Sequence, residues 1–185
     1  MVAIIAVLVA VAIPIFTSQL EKARQAVDLQ NARAIQSALT NAYNTGEIDL
    51  GSCGNGNGVW VLICRDKSSK PSGYDTWNLA YNNTLFCGAD VNTIIKGRKV
   101  TKALYENEIE QILKEYGINV DSLKIKSSKD SNRKKGWDWI VIQMVNKNGI
   151  AQSCMFSGFA GISSAYNNAY GKDTDNLNKI ISGNR

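Results

Sequence analysis

The sequence predicts an α+β protein in which a long N-terminal α-helix packs on a small antiparallel β-sheet head. The chain opens with an uncharged stretch, residues 1–16, which continues into a charged segment with apolar residues at helical spacing as far as residue 44. The last third alternates apolar and polar residues on both sides of a turn sequence, which is typical of antiparallel strands. We therefore divide the chain into a hydrophobic transmembrane or filament-core segment (1–16), its amphipathic continuation (17–44) and a globular head (45–185).

Composition supports one folded head and argues against catalysis. About 140 of the 185 residues follow the long helix, enough to bury a single core, and the chain is 44% hydrophobic and 20% charged. The formal net charge is +5 and histidine is absent. The absence of histidine excludes Ser-His-Asp and Cys-His catalysis, and the acids form no convincing pair for acid–base chemistry. We expect neither an enzyme nor a cofactor.

The opening stretch predicts a helix that faces an apolar environment. Sixteen residues give about 24 Å of helix, slightly less than a bilayer span requires. A basic region before the stretch and a small-residue cleavage site after it are both missing, so a signal peptide is not predicted. The alternative, a buried helix of a soluble protein, would need to be covered on every side. Two features of this stretch are expected, a kink or local melting near residues 10–13 and close packing against neighbouring helices. The residues expected to control them are Pro14, Ala6, Ala10 and Phe16.

Beyond Pro14 the pattern predicts an amphipathic helix that packs one face on the head. Arg24 and Asp28 are spaced to form an ion pair, and Gly46 is the expected left-handed cap after Asn44. A helix of this length measures about 65 Å. Its expected apolar stripe consists of Phe16, Leu20, Ala23, Val27, Ala34, Ala38 and Ala42, widened by Ile35 and Leu39.

The middle of the chain predicts a glycine-rich loop, a strand and a second helix. Residues 51–58 (GSCGNGNG) lack the G-K-[ST] ending of a phosphate loop and precede a strand at 59–63 instead of a helix. Residues 67–83 are polar and predict a loop. A helix beginning near Thr101 and ended by Gly117 is predicted by a shared apolar face of Tyr105, Ile109, Ile112, Leu113 and Tyr116.

The last third predicts antiparallel sheet. A weak strand is expected at 120–126 and a strong one at 137–145. The sequence Asn-Lys-Asn-Gly at 146–149 predicts a hairpin turn, with a returning strand at 150–156. The tail beyond Gly158 is polar and has no clear period.

Two polar clusters have both a binding and a structural interpretation. Six basic residues, which we call the basic run, precede Trp137 and Trp139; they could bind a DNA backbone or an anionic surface, or form a solvated loop beside tryptophans that face the core. Oxygen ligands for calcium near residues 173–176 lack the EF-hand pattern, and a solvated loop is the better interpretation. The basic run is Lys124, Lys126, Lys129, Arg133, Lys134 and Lys135, and the oxygen ligands are Asp173, Asp175 and Asn176.

Four cysteines permit three disulfide pairings. None has C-x-x-C spacing and histidine is absent, so a zinc site is not expected. An even number in a chain delivered to the surface favours disulfides over unpaired thiols. We prefer Cys53–Cys64, closing the glycine-rich loop onto its strand, and Cys87–Cys154, tying the middle segment to the terminal sheet.

The N-terminal quarter resembles the first helix of type IV pilins, particularly those of Gram-positive bacteria. The resemblance lies in the alanine-rich apolar run, Ala-Ile-Pro at 12–14, the aromatic Phe16 and a following helix rich in Glu, Lys, Arg and Ala. It implies a pilin-like roll and a helix that anchors the subunit in the membrane before it becomes the core of a homo-oligomeric surface filament. It also implies a prepilin peptidase and the pilus assembly machinery as partners, and adhesion, motility, aggregation, or host-cell or DNA contact as filament functions.

The family's processing features do not occur in this sequence. The basic leader, the processing-site glycine, the methylated N-terminal aromatic residue and an early glutamate are missing, and the first acid is Glu21. We expect the natural protein to carry these features upstream of Met1. The alternatives within the resemblance are a pseudopilin of a secretion or competence apparatus and a membrane-anchored DNA- or ligand-binding minor pilin. A membrane-anchored receptor head that never polymerises is the alternative of a different class.

Overall fold

The computed structural model describes residues 2–51, 53–54, 58–70, 84–101, 107–127, 137–158 and 175–176. The fold is α+β, with a long N-terminal helix and antiparallel sheets, as predicted. Short 3₁₀ turns occupy Lys67–Ser69 and Val120–Ser122. The helices and strands are α1 (Val2–Asn44), β1 (Ile48–Asp49), β2 (Gly58–Cys64), β3 (Leu85–Ala89), β4 (Ile94–Ile95), β5 (Arg98–Lys99), α2 (Asn107–Glu115), β6 (Trp139–Lys147), β7 (Ile150–Gly158) and β8 (Asp175–Asn176).

Helix α1 is continuous through Pro14 and ends where the sequence predicted. Its last residue is Asn44, and Gly46 follows with φ of 81°, the left-handed conformation of a helix cap. The local melting expected at residues 10–13 does not occur, since these residues are helical. Pro14 removes one hydrogen bond to the Ala10 carbonyl, and this turn is exposed, so solvent can replace the lost donor.

The head covers the second part of the predicted stripe, where Ile35, Ala38, Leu39 and Ala42 are buried. The other residues of the stripe that are exposed are Phe16, Leu20, Ala23 and Ala34. The first three of these precede Asp28, where the head begins to cover the helix. The buried residues of α1 are Asp28, Ala32, Ile35, Ala38, Leu39 and Ala42.

The larger sheet is antiparallel, with strand order β3-β2-β6-β7-β8. Strands β6 and β7 form the predicted hairpin, and positive φ angles of 55° at Asn148 and 82° at Gly149 match the turn that such hairpins favour. Strands β1, β4 and β5 form a separate three-stranded sheet that the sequence did not predict.

Two predicted segments need correction. The strand expected at 120–126 is a 3₁₀ turn followed by extended chain, which touches β2 through one hydrogen bond from the Ile125 amide to the Cys64 carbonyl (3.2 Å). Its alternation arises because Leu123 and Ile125 pack inwards, without a strand partner. In the polar tail, Asp175 and Asn176 pair with β7, so these two residues are strand and not loop.

The larger sheet has apolar side chains buried on both faces. Along β2, Val59, Val61 and Ile63 face the main core beneath the helices. The intervening residues face the opposite side, where they belong to a second apolar group that we call the outer-face cluster. Its members are Trp60, Leu62, Cys64, Phe86, Trp139, Val141 and Phe156. The helix predicted from Thr101 to Gly117 is confirmed over Asn107–Glu115 as α2, whose Ile109, Ile112 and Leu113 enter the main core. Thr101 is not helical, and Tyr105 of the predicted apolar face lies outside the described residues.

Candidate functional site

The N-terminal half of α1 presents apolar side chains to the exterior. Phe16 is 75% exposed, Leu8 is 65% exposed and Ile5 is 61% exposed. Pro14 and Ala10 are exposed in the same stretch, and Ala6 belongs to the same helix. Within the part of the chain that the structure describes, no helix combines the length and the apolar character needed to cross a bilayer.

The head first engages α1 at Asp28, a carboxylate that is only 1% exposed. The amide N–H of Lys126 donates to Asp28 Oδ1 at 2.8 Å, and that of Ser127 donates to Oδ2 at 3.0 Å. The predicted ion pair between Arg24 and Asp28 is therefore replaced. Arg24 instead lies 3.8 Å from Glu21, because Asp28 turns towards the head.

Arg65, which follows β2, holds the same region from the other side. Its guanidinium donates to the Ser127 carbonyl oxygen and, at 2.8 Å, to that of Trp137. Its Nε lies 3.2 Å from Oδ1 of Asp138, whose side chain is 6% exposed. We call Asp28, Arg65, Asp138 and the backbone of residues 126, 127 and 137 the Asp28–Arg65 clamp. One guanidinium thus links the two residues that flank segment 128–136.

Burial sets the electrostatics of Asp28. Desolvation raises the pKa of the carboxyl above its ordinary value, and the hydrogen bonds from the Lys126 and Ser127 amides oppose this rise. The Ser127 hydroxyl and the Trp137 indole N–H also favour the ionised carboxylate, although neither meets full hydrogen-bond geometry. The two amide contacts have the distances of ordinary hydrogen bonds and are the stronger stabilisers of the ionised carboxylate.

The basic run begins at the clamp. Lys124 and Lys126 are exposed, and buried Ile125 lies between them. Lys129, Arg133, Lys134 and Lys135 fall outside the described residues. Trp137 packs in the main core, whereas Trp139 belongs to the outer-face cluster, so both predicted inward-facing tryptophans are buried.

The structure forms neither of the two preferred disulfides, and all four cysteines are free thiols. Cys53 and Cys87 belong to the main core, while Cys64 belongs to the outer-face cluster and Cys154 packs against it. Each preferred pairing would therefore join opposite faces of one sheet. Cys64 and Cys154 share a face, but they pair in register with Trp139 and Gln143, about 13 Å apart along β6.

Burial also lowers the reactivity of these thiols. Desolvation raises the pKa of Cys53, Cys64 and Cys87. It raises that of half-buried Cys154 to about 11. Because the thiolate is the nucleophile and the metal ligand, these groups are poorly suited to either chemistry near neutral pH.

The remaining predicted ligand group is only partly described. Asp175 and Asn176 lie in β8, and Asp173 is outside the described residues. The described residues contain no group of three or more His, Cys, Asp or Glu side chains that could hold a metal ion. That the protein is not an enzyme stays a prediction from the sequence.

The clamp residues were not predicted, although a signal for Asp28 exists. Ala32, Ile35 and Leu39 follow it by four, seven and eleven residues, so it lies in phase with the buried face of α1. Arg65 and Asp138 carry no comparable local pattern.

Comparison of the chain with protein-family models, curated proteins and solved structures finds no match.

Proposed function

We propose that the chain is a structural subunit of an extracellular filament of the type IV pilin kind, assembled through α1. The observation that carries the proposal is the exposure of the apolar residues that precede the head. Six of them are between 57% and 75% exposed, namely Ile5, Leu8, Val11, Ile13, Ile15 and Phe16. Such surface is costly to leave in water and marks a site of association.

The distribution of these residues around the helix favours many neighbours over one. Successive residues are separated by about 100° around the axis, so Ile13, Ile15 and Phe16 point in different directions. A single flat partner cannot cover all three. Lipid before assembly and several copies of the same helix after assembly would each cover them. This succession would place the subunit in the membrane first and in a cell-surface filament afterwards, after prepilin processing and with the assembly machinery as a partner.

Electron microscopy of sheared surface material, with an antibody to the head, tests the proposal. We expect long labelled fibres from cells that express the natural protein. Phe16→Glu should abolish them, because the charge would enter the packed helices. Ile150→Glu is the matched control, since Ile150 is 64% exposed at the β6–β7 turn and does not belong to α1. This variant should still form fibres.

The same images separate the alternatives. Short fibres confined to the cell envelope would favour a pseudopilin of a secretion or competence apparatus. Head antigen on the cell without any fibre would contradict the filament and favour an anchored receptor. Fibres that persist in Phe16→Glu would show that assembly does not use this surface of α1.

A further inference from the structure

We propose that the C-terminal residues 177–182 continue β8 along the open edge of β7 and so close the larger sheet. The open edge is the outward-facing backbone of Ala151, Ser153 and Met155, which pair with none of the strands that the structure describes on that side of β7. Segment 177–182 lies outside the described residues, and its sequence and the register of β8 on β7 carry the proposal. The pairing does not depend on the proposed function.

The β6–β7 hairpin fixes which backbone groups of β7 face away from β6. Asn148 and Gly149 form a two-residue turn with positive φ angles, and Lys147 pairs with Ile150 beside it. In such a hairpin the pair next to the turn is hydrogen-bonded, and bonded pairs then alternate along the ladder. The even-numbered residues of β7 therefore bond to β6, and the backbone groups of the odd-numbered residues point to the other side.

The edge of β7 lacks the features by which proteins usually block an exposed strand. Residues 150–155 (IAQSCM) contain no proline and no charged residue. The register with β6 is regular from Ile150 to Gly158, so no bulge interrupts the strand. The Oγ atom of Ser153 is also buried without a hydrogen-bond partner among the described residues. An edge of this kind pairs readily with another strand.

β8 already occupies the beginning of this edge. Asp175 pairs with Ser157 and Asn176 pairs with Phe156, so β8 runs antiparallel to β7 and leads towards Met155. Residues 177–185 follow, and in the same register residues 177–182 come opposite residues 155–150. The chain therefore continues in the direction, and for the length, that the whole open edge requires.

The apolar residues of the segment suit this register. Leu177 would come opposite Met155, which belongs to the main core. Ile181 would come opposite Ala151, which packs against the same core. Cross-strand neighbours on one face of an antiparallel pair stabilise the sheet when both are apolar.

Lys179 would come opposite Ser153, between these two apolar pairs. At the outermost strand its long side chain can keep the ammonium group in solvent or donate to the buried Ser153 hydroxyl. A lysine on the new edge also discourages a further strand from pairing, which residues 150–155 do not. The chain's own segment is favoured over a second copy, because β8 leads directly into the edge.

Amide hydrogen exchange of the full-length chain in detergent micelles, followed residue by residue by NMR, tests the proposal. In a hydrogen-bonded pair of residues 153 and 179, each amide donates to the carbonyl of the other. We therefore expect the Ser153 amide to be protected from exchange in the natural protein. Lys179→Pro removes one donor of this pair and should accelerate Ser153 exchange by about tenfold.

Asn178→Pro is the matched control, because it places the same residue one position earlier. The amide of residue 178 would face away from β7, so this proline removes no bond to β7 and should change Ser153 exchange less than about twofold. The Gln152 amide faces β6 and should stay protected in both variants, which would show that β7 remains folded.

Three results would overturn the proposal. Exchange of the Ser153 amide at the rate of an unstructured chain in the natural protein would show that the edge is open. Equal acceleration in both proline variants, or none in either, would show that segment 177–182 does not pair in this register. Protection that disappears on dilution would assign the edge to a second copy. None of these readouts depends on whether fibres form.

Discussion

The indole ring of Trp60 lies against Gly88 of the neighbouring strand. The two residues are register partners in β2 and β3, and a Cβ at position 88 would lie 2.1 Å from Cζ2 of the indole. Trp139 and Gly158 repeat this arrangement across β6 and β7, where the corresponding distance is 2.3 Å. The outer-face cluster thus depends on two positions without a side chain, because each allows a tryptophan to lie flat on the sheet.

Gly88→Ala should destabilise the protein. The added methyl group would displace a buried indole, and overpacking of this kind costs about 1–3 kcal/mol. Urea unfolding followed by tryptophan fluorescence measures the change. Gly51→Ala is the control, because among the described residues its Cβ would meet only the movable Asp49 carboxylate, at 3.1 Å. Equal stability of the two variants would show that Trp60 does not occupy this position.

The clamp carboxylate should give stability a specific pH dependence. The folded-state pKa of Asp28 is raised above 3.8 by burial, so the folded chain holds this proton more tightly than the unfolded chain does. The resulting stabilisation is complete below pH 3.8 and is lost as pH rises through the raised folded-state pKa. Asp28→Asn cannot titrate. The free energy of unfolding of the natural protein, minus that of Asp28→Asn, should therefore increase as pH is lowered from 7 towards 3.8.

Denaturant unfolding of both proteins at several pH values in this range provides the measurement. Asp90, whose pKa is also raised by burial, is present in both proteins and largely cancels in the difference. A difference that falls as pH is lowered would contradict the burial of an ionised Asp28 in the clamp.

Substitution of Arg65 should destabilise the protein much more than substitution of Arg98, although each arginine forms an ion pair. Arg65 contacts the Asp138 side chain, which is 6% exposed, whereas Arg98 is 52% exposed beside Glu108 at 3.0 Å. Arg65→Ala leaves a buried carboxylate and two carbonyls without this donor, which should cost about 3–5 kcal/mol. Arg98→Ala should cost about 0–1 kcal/mol.

Thermal or urea unfolding of the two arginine variants distinguishes these cases. An Arg65→Ala/Asp138→Ala double variant should lose less than the sum of the two single changes, because each single change already removes the same ion pair. Similar stabilities for Arg65→Ala and Arg98→Ala would show that the clamp is exposed to solvent.

The cysteines should react as free thiols. After unfolding in denaturant without reductant, the structure predicts four thiols per chain by a colorimetric thiol assay. In the native protein near pH 8 labelling should be slow, because burial raises the pKa of every one of them, that of Cys154 to about 11. Peptide mapping should find Cys154, the half-buried thiol, labelled first. Zero or two thiols in the unfolded chain would show that disulfides form.

Several elements could be predicted because their signals are local. Gly46 and Gly117 mark the ends of two helices, with φ of 81° and 78°, since each lies where the chain leaves the helix in the left-handed conformation. Asn148 and Gly149 likewise specify the hairpin turn. The small sheet could not be predicted, because strands of two residues contain no measurable alternation.

The buried face of α1 could be predicted only in part. Ile35, Ala38, Leu39 and Ala42 were predicted in the stripe and are buried, whereas buried Asp28 was not expected there. Asp28 joins the buried face because backbone amides 98 and 99 residues away satisfy its carboxylate. The cysteine pairings were chosen from sequence spacing, whereas the face of the sheet on which each thiol lies depends on strand register.

The sequence by itself determined the helix with an uncharged first half, its end at Asn44 and the long hairpin of the sheet. These features follow from periodicity and backbone preference, which act between near neighbours. Only the tertiary structure decided that Asp28 joins the buried face of α1, how Asp28 and Arg65 hold residues 126, 127 and 137, and that the cysteines stay apart. Those outcomes depend on contacts between residues distant in the chain, whose desolvation and hydrogen bonding have no local signature.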